Sequence, residues 1–343
     1  MTRVFVDTTI TCPLSEMGAS AAAAEESGYN AVWTFEGAHD PFLPLLLAAE
    51  HTDRVTLGTS IAVAFGRNPL LLATLGWDLQ AYSRGRFVLG LGTQIRPHIA
   101  RRYSMPWSRP ADRMLDMVTA IRAIWDSWTT GGRLDHHGDF YEHTLMPPLF
   151  RPNPSDVDGF GPPPVWLAGV GPRMTRVAGE VADGFLSHPL CTPAFLRDTT
   201  VPSLAQGAAV SGRGRTAVHH SAMVIIGDSD QEMAAARAAV RTQIAFYGST
   251  PAYQPILASV GFADLHPTLH TMSKSGDWQA MGRQVPDELV DSIAVTIDDP
   301  HDGAVELLRR YGPYVDRLGF NTPYAADPSL LARLAAEVRR SPA

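Results

Sequence analysis

Short apolar runs alternate with longer amphipathic segments along almost the whole chain. Apolar runs of this length are typical of strands, and apolar positions three or four residues apart are typical of helices. The runs are apolar at nearly every position, as in parallel strands that are buried on both faces. The pattern predicts eight strands, each followed by a helix: 4–10, 31–36, 55–65, 87–91, 165–170, 184–188, 218–226 and 317–322.

The regular alternation of strands and helices predicts a parallel sheet with right-handed crossovers. Eight such units in 343 residues favour a closed (β/α)8 barrel of the TIM type, an α/β fold, over an open doubly wound sheet. Within the pattern, Asn68 and Pro69 supply a capping residue and a first-turn proline for the third helix. We therefore expect a single domain over residues 1–343.

Two stretches interrupt the alternation. The first is residues 129–163. Seven prolines lie between Pro147 and Pro164, and they predict a structured loop here rather than a helix. Residues 249–285 are polar, with glycine, proline and two histidines, which predicts a second loop inserted after the seventh strand. In a barrel, both insertions would lie over the carboxyl-end face of the strands, where lids form.

Composition narrows the range of partners. The net charge of −7, which no Lys/Arg run offsets, argues against a nucleic-acid partner. The longest apolar block, 41–49, is too short to cross a bilayer, and the first residues do not form a signal peptide. Cys12 and Cys191 are too few for a disulfide framework or a zinc site. We therefore expect a cytoplasmic protein with no membrane association and no metal.

A glycine-rich turn joins the fifth predicted strand to its helix, with the sequence Gly169-Val170-Gly171-Pro172-Arg173. The two glycines let a ligand approach the backbone closely, and Pro172 presets the first helical turn. Unsatisfied amides at a helix start, with Arg173 beside them, suit a phosphate group. The turn predicts a site for a phosphorylated small molecule, although an ordinary tight loop has the same pattern.

Polar residues follow several other predicted strands, and in a barrel these positions converge on one pocket. They include Glu36, His39, Ser60, Thr93, His98 and His188. His39 and His188 are candidates for proton transfer, because imidazole titrates near neutral pH. No HExxH motif, GxSxG elbow or complete GxGxxG fingerprint is present, so the motifs support no zinc site, hydrolytic triad or dinucleotide site.

Six segments, in their order and spacing, resemble one known family. They are Thr-Ser-Ile (59–61), Arg-Asn-Pro (67–69), Ser-Arg-Gly-Arg-Phe (83–87), Gly-Leu-Gly-Thr (90–93), the turn 169–173, and Ala-Gly-Glu-Val-Ala-Asp-Gly (178–184). From about Val4 to Arg340, the chain resembles the bacterial-luciferase-like monooxygenases, in the branch of oxidoreductases that depend on the deazaflavin coenzyme F420. Residues 94–107 resemble one uncharacterised actinobacterial-type subgroup in particular.

The resemblance implies a (β/α)8 barrel with F420 at the carboxyl-end face. It implies a cis peptide bond between Ser60 and Ile61, in a bulge that buttresses the deazaflavin ring. His39 matches a histidine near the reacting carbon of the ring. The cofactor contacts that the resemblance implies are Ser60, Ile61, Thr93, His98, Gly169, Val170, Gly171, Pro172 and Arg173.

Two positions depart from the pattern of the branch. Its sugar-phosphate dehydrogenases carry a glutamate two residues after the threonine, where this chain has Ile95. This departure puts a sugar-phosphate substrate in doubt. Relatives often have an aspartate before the histidine, where this chain has Ala38. Glu36 or His188 are candidates to supply the missing polar group.

Three functions are compatible with the sequence. The first is hydride transfer between F420 and a small organic substrate, with His39 as the first candidate for the proton and His188 or Glu36 as others. The second is a two-component monooxygenase that uses reduced FMN and oxygen, since the pocket residues do not separate the two cofactors. The third is a cofactor-binding barrel without catalysis.

Family members usually form homodimers through the helices that follow the second and third strands. The apolar residues available there are Phe42, Leu43, Leu46, Leu71, Leu75 and Trp77. They predict a homodimer, although one apolar face is also needed to cover the barrel.

Overall fold

Eight parallel strands close into a barrel in the computed structural model, which describes residues 3–341. Each strand pairs with the next along the chain, and the last pairs with the first through Leu318 and Val6. The complete ring of parallel pairings confirms the predicted (β/α)8 fold. The strands are β1 (Phe5–Thr9), β2 (Ala31–Thr34), β3 (Thr56–Thr59), β4 (Phe87–Gly92), β5 (Val165–Gly169), β6 (Gly184–Ser187), β7 (Ala217–Ile226) and β8 (Arg317–Asn321).

Helices connect the strands and cover the outside of the barrel. The longer ones are α1 (Leu14–Glu26), α2 (Leu43–Glu50), α3 (Pro69–Tyr82), α4 (Pro110–Thr130), α5 (Pro172–Val181), α6 (Val201–Ser211), α7 (Asp230–Gly248), α8 (Pro300–Tyr311) and α9 (Pro328–Arg340). The α3 helix begins as predicted, because the side chain of Asn68 accepts a 2.8 Å hydrogen bond from the amide of Leu70.

The second insertion is helical, so the prediction of a loop over residues 249–285 was wrong. It contains the short helices Gln254–Ala258, Leu265–Ser275 and Trp278–Arg283. These helices are only 5, 11 and 6 residues long, so each shows few turns of apolar periodicity, and the glycines and prolines of this stretch are typical of a loop. His266 fixes this unit to the end of α7, with 2.8 Å between its Nδ1 and the carbonyl oxygen of Gly248.

The insertion also begins earlier than predicted, because α7 belongs to it. Tyr247, near the end of α7, packs against His188 at the carboxyl end of β6, with ring centroids 4.4 Å apart. On the side of the barrel, Tyr311 of α8 packs on His220 of β7, again at 4.4 Å. The α7 helix therefore lies at the carboxyl-end face of the barrel.

The first insertion is a structured loop, as the prolines predict. After α4 it forms a small hairpin, in which His136–His137 pairs with Glu142–His143, and then two short 3-10 turns. The buried carboxylate of Asp116 anchors the hairpin and accepts a 2.7 Å hydrogen bond from the amide of Phe140.

Large side chains fill the interior of the barrel. Trp33 of β2 and Trp166 of β5 lie with their rings 5.6 Å apart. The buried carboxylate of Asp7 accepts a 3.0 Å hydrogen bond from the indole of Trp33 and two 2.7 Å bonds from the guanidinium of Arg317. Arg317 is the first residue of β8, so this packing closes the amino-terminal half of the barrel. The carboxyl ends of the strands, where barrels of this type carry their ligand sites, are therefore the end at which a site is expected.

Candidate active site

The turn after β5 has the form of an open helix start. Gly171 is the capping residue of α5, and a Cβ atom added there would meet no atom within 4 Å. Gly169 allows close packing instead, since a Cβ there would lie 2.8 Å from Cγ of Met174. The first amides of a helix have no partner within the helix and favour an anion. Arg173 is not free beside them, because it forms a 2.6 Å ion pair with Asp112 of α4.

The chain after β3 forms a bulge, which we define as residues 60–63. The peptide bond between Ser60 and Ile61 is cis, which confirms that expectation. Parallel pairing then resumes with β4 through Ala62 and Val63. Ile61 lies directly on Gly92 of β4, where a Cβ would come within 2.8 Å of Cγ1 of Ile61.

Glu36, at the end of β2, contacts this bulge at two points. Its amide donates a 3.0 Å hydrogen bond to the carbonyl oxygen of Ile61, and its carboxylate accepts a 2.7 Å bond from the amide of Val63. The carboxylate also accepts hydrogen bonds from Arg67 and from the hydroxyl of Tyr103, the latter at 2.6 Å. Three donors therefore engage Glu36, and its role in proton transfer stays a prediction.

His39 lies in the loop between β2 and α2, and its side chain is exposed. It takes part in none of the hydrogen bonds or ion pairs found among residues 3–341. The loop itself is fixed, because Asp40 accepts a 2.8 Å hydrogen bond from the amide of Phe42 and lies 3.2 Å from Arg67. A fixed loop thus presents a free imidazole at the carboxyl end of β2.

Thr93 and His98 lie in the chain that leaves β4. Residues 94–107 of this chain, which include His98, are called the rim segment. The hydroxyl of Thr93 donates a 2.9 Å hydrogen bond to the carbonyl oxygen of Gln94, and His98 is the exposed first residue of a π-helical turn. Arg102 in this turn donates a 2.8 Å bond to the carbonyl oxygen of Gly37. The rim segment therefore contacts the loop that carries His39.

His188 follows β6 and is enclosed by aromatic rings of the second insertion. Its ring centroid lies 4.4 Å from those of Tyr247 and Tyr253. Burial lowers the pKa of His188 to about 3, so the imidazole is neutral at physiological pH. Its Nδ1 accepts a 3.2 Å hydrogen bond from the amide of Leu190, which places the proton on Nε2. His188 can therefore donate a hydrogen bond, but it does not carry a spare proton.

Two adjacent histidines of β7 were not among the predicted site residues. His219 lies inside the barrel, 5.4 Å from the ring of Trp33, whereas Nδ1 of His220 lies 2.7 Å from the hydroxyl of Ser187. Both are buried, and burial lowers the pKa of His219 to about 4 and that of His220 to about 3. Two histidines within an otherwise apolar strand were the only sequence signal for them.

A cavity of about 570 Å³ lies elsewhere, at the amino-terminal ends of β5 and β6. Its lining includes Arg122, Asp183 and the prolines 162–164. Since no predicted site residue borders it, it is not the candidate active site. Within residues 3–341, no three His, Cys, Asp or Glu side chains are arranged to hold a metal ion, and no helix has the length and apolarity to span a membrane.

Hydrogen bonds thus connect the ends of β2, β3 and β4, and the barrel places the turn after β5 and His188 after β6 on the same face. The arrangement offers an open helix start at Gly171, an apolar surface at Ile61, an exposed histidine and a neutral hydrogen-bond donor. This set suits a phosphorylated ring cofactor and a proton transfer beside it.

Comparison with known proteins identifies the family. The sequence model for the luciferase-like monooxygenases matches residues 1–317. An uncharacterized protein of Mycobacterium tuberculosis is 50% identical over 319 residues, which cover 92% of each chain. The F420-dependent glucose-6-phosphate dehydrogenase of Nocardia farcinica is 27% identical over 312 residues, covering 86% of this chain and 83% of the other.

Solved structures show the same fold. The coenzyme F420 dependent tetrahydromethanopterin reductase from Methanopyrus kandleri superposes with a TM-score of 0.76 at 18% identity, covering 98% of this chain and 99% of the other. Homologues in the family are oxidoreductases and monooxygenases that act on small molecules with F420 or FMN. On its near-complete match to the family model and its 50% identity to one relative, the chain belongs to the luciferase-like monooxygenase family.

Proposed function

We propose that this protein is an F420-dependent oxidoreductase that transfers a hydride between the deazaflavin and a small organic substrate. One observation carries the proposal: at the ends of the neighbouring strands β3, β4 and β5 lie an apolar surface, made by Ile61 on Gly92, and an open helix start at Gly171. Similarity to a relative named as an F420-dependent dehydrogenase supports the choice of cofactor.

The residues at these strand ends fit such a cofactor. The open space at Gly171 leaves room for a phosphate on the amides of residues 169–173. Ile61 offers an apolar surface for the ring, and Ser60, Thr93 and His98, at the ends of β3 and β4, are the further contacts in this proposal. When bound, the deazaflavin supplies a carbon that accepts or donates the hydride. The protein orients that carbon toward the substrate and excludes water.

His39 transfers the accompanying proton in this proposal, because its imidazole is exposed and engaged by no other described residue. His188 has a different part, since a neutral imidazole with its proton on Nε2 donates a hydrogen bond to a substrate oxygen. The two histidines thus divide proton transfer and polarisation between them, at the ends of β2 and β6.

Apolar side chains at the strand ends suit an organic substrate better than a sugar phosphate. Phe35, directly after β2, is 47% exposed, and Ile95, in the position of the sugar-phosphate branch's glutamate, is 37% exposed. Burying such surfaces against an apolar substrate is favourable, whereas they offer nothing to a charged sugar phosphate.

We also propose a homodimer through α2 and α3. The four exposed leucines of this surface are 38% to 60% exposed: Leu43, Leu46, Leu71 and Leu75. Exposed apolar residues that cluster in this way often mark a protein–protein interface, because contact with a partner removes them from water. Phe42 and Trp77, also predicted for this surface, are buried in the subunit core, so that part of the prediction was wrong.

Parallel titrations with F420 and FMN test the cofactor assignment. We expect F420 to bind saturably, as followed by its fluorescence, and to be reduced or reoxidised with members of a panel of alcohols, enones and imines. Tight binding of FMN without affinity for F420 would support the flavin monooxygenase instead. Binding of F420 with no turnover across the panel would support a cofactor-binding barrel without catalysis.

A further inference from the structure

Glu36 joins three separate parts of the chain at the candidate site. It belongs to the end of β2, it contacts the bulge 60–63 after β3, and it contacts Tyr103 in the rim segment 94–107 after β4. Its carboxylate is 9% exposed and its ion-pair partner Arg67 is 16% exposed, so water does not weaken these contacts much.

The contact with the bulge is made from both sides. The amide of Glu36 donates to the carbonyl oxygen of Ile61, and its carboxylate accepts from the amide of Val63. Arg67 adds a 3.1 Å hydrogen bond to the carbonyl oxygen of Val63 while it pairs with Glu36. The bulge is therefore held at β2 by the backbone amide of Glu36, which binds Ile61, and by the Glu36 carboxylate and Arg67, which bind Val63.

The contact with the rim segment is made by one phenol. Burial, together with the hydrogen bond to Glu36, raises the pKa of Tyr103 to about 12, so the hydroxyl keeps its proton and donates it. The Tyr103 ring packs against Gly66, where an added Cβ would lie 2.7 Å from it. Tyr103 thus fixes the carboxyl end of the π-helical turn that begins at His98.

Resting on the function proposed above, we propose that Glu36 is a positioning residue: it fixes the ring platform at Ile61 and couples it to the rim segment, and it does not exchange a proton with the substrate. A carboxylate that acts as acid or base needs an oxygen within reach of the reacting group. Here one oxygen accepts from Tyr103 and the other from both Val63 and Arg67.

Two conservative variants separate the two contacts. Tyr103→Phe removes only the contact with the rim segment. Glu36→Gln leaves one acceptor oxygen in place of two and turns an NH2 group toward donors, so it weakens the contacts with both the bulge and the rim segment. Tyr311→Phe is the matched control, because the Tyr311 hydroxyl donates a 3.0 Å hydrogen bond to Ile293, behind β7 and away from both segments.

Amide hydrogen exchange of the cofactor-free protein is the first measurement. We expect the amides of Tyr103 and Met105 in the rim segment to exchange roughly tenfold faster in both variants, since each loses about one hydrogen bond that holds the segment. The Val63 amide should exchange faster in Glu36→Gln alone, and neither region should change in Tyr311→Phe. Unchanged exchange of the rim segment in Tyr103→Phe would contradict the coupling.

Cofactor binding and kinetics are the second measurement. A positioning role predicts that both variants weaken F420 binding and lower kcat about tenfold, with a less than additive double variant and an unchanged shape of the pH profile. If Glu36→Gln instead abolishes turnover, keeps F420 affinity and removes a limb of the pH profile while Tyr103→Phe is normal, Glu36 is the acid or base. If the wild-type protein binds no F420, the proposed function fails, and the exchange data still decide whether the coupling exists.

Discussion

Ile61 lies on Gly92 so closely that a Cβ atom at residue 92 would come within 2.8 Å of Cγ1 of Ile61. Gly92 is the last residue of β4 and Ile61 lies in the bulge that follows the neighbouring strand β3, so only the absence of a side chain at Gly92 allows the bulge to take its position. The shape of the proposed ring platform therefore depends on a residue that does not itself belong to the bulge.

Gly92→Ala should consequently displace Ile61 and disturb the platform. Added methyl groups in packed interiors cost about 1–3 kcal/mol, and here the displacement falls on the cofactor surface, so we expect F420 affinity to fall about tenfold or more. Gly214→Ala is the matched control, because a Cβ at Gly214 meets no atom within 4 Å. Fluorescence titration measures the affinity, and equal affinities of the two variants would contradict the contact.

Gly171 allows the anion site to be tested by charge alone. Its φ of −75° and ψ of 150° are open to any residue, and a Cβ there meets no atom of the protein, so Gly171→Ala should fold normally and is the uncharged reference with which Gly171→Asp is compared. Gly171→Asp keeps a good helix cap but places a carboxylate where the phosphate should bind. We expect at least a tenfold loss of affinity that diminishes at high salt, with an unchanged melting temperature. If Gly171→Asp binds F420 normally, the phosphate does not bind at this turn.

His39 and His188 differ in what they can do with a proton. Loss of a general acid or base costs about 10²–10⁴ in rate, so His39→Ala should lower kcat by that factor with cofactor affinity retained. His188→Ala should cost only about tenfold, the value of one hydrogen bond. Because the pKa of His188 is about 3, any limb of the pH profile above pH 5 should survive this substitution. His137→Ala is the control, because this side chain in the hairpin is 61% exposed. If kcat falls more in His188→Ala than in His39→Ala, the two histidines have the opposite roles.

The strands and the glycine-rich turn could be predicted because their signals are local. A short, continuous apolar run such as 87–91 predicts a buried strand from its own residues alone, and β4 is found at Phe87–Gly92. Helical periodicity, however, does not say what a helix covers. The pattern of α7 is the same for a helix that packs on the barrel and for one that lies at its open end, so its place had to come from the structure.

The contacts of Glu36 had no local signal either. Glu36 and Tyr103 are 67 positions apart, and neither is unusual in its own segment. Similarly, nothing near His188 indicates that Tyr253 will enclose it, because that contact needs the insertion to fold back over β6. Sequence supplied candidate residues for the site, but the partners of those residues depend on tertiary packing.

The exposed leucines of α2 and α3 test the proposed homodimer. Leu43 is 55% exposed and Leu71 is 60% exposed, so a charge at either costs the folded monomer little but would be buried in a dimer. We expect light scattering to give a dimer for the wild type and a monomer for Leu43→Glu and Leu71→Glu. Val305→Glu, at a 48% exposed position of α8, should stay dimeric. A wild-type monomer, or dissociation by Val305→Glu, would contradict this interface.

His219 and His220 should make the free energy of unfolding depend on pH. Burial holds the pKa of His219 at about 4 and that of His220 at about 3, whereas an unfolded imidazole has a pKa of about 6.5. Between these values the unfolded chain binds protons that the folded chain does not. The free energy of unfolding therefore falls as the pH falls below about 6.5, and above that pH these two groups have no effect.

His220→Asn isolates one of these protons. Asparagine cannot titrate, and its side-chain amide can keep the hydrogen bond that Nδ1 of His220 makes with Ser187. Urea unfolding at several pH values should show a slope smaller by about one proton, or about 1.4 kcal/mol per pH unit, between pH 6 and 4. The exposed variant His137→Ala should leave that slope unchanged. If the free energy of unfolding of His220→Asn falls with pH as steeply as that of the wild type, His220 is not a buried neutral group. That result would contradict its burial in β7 against Tyr311 of α8.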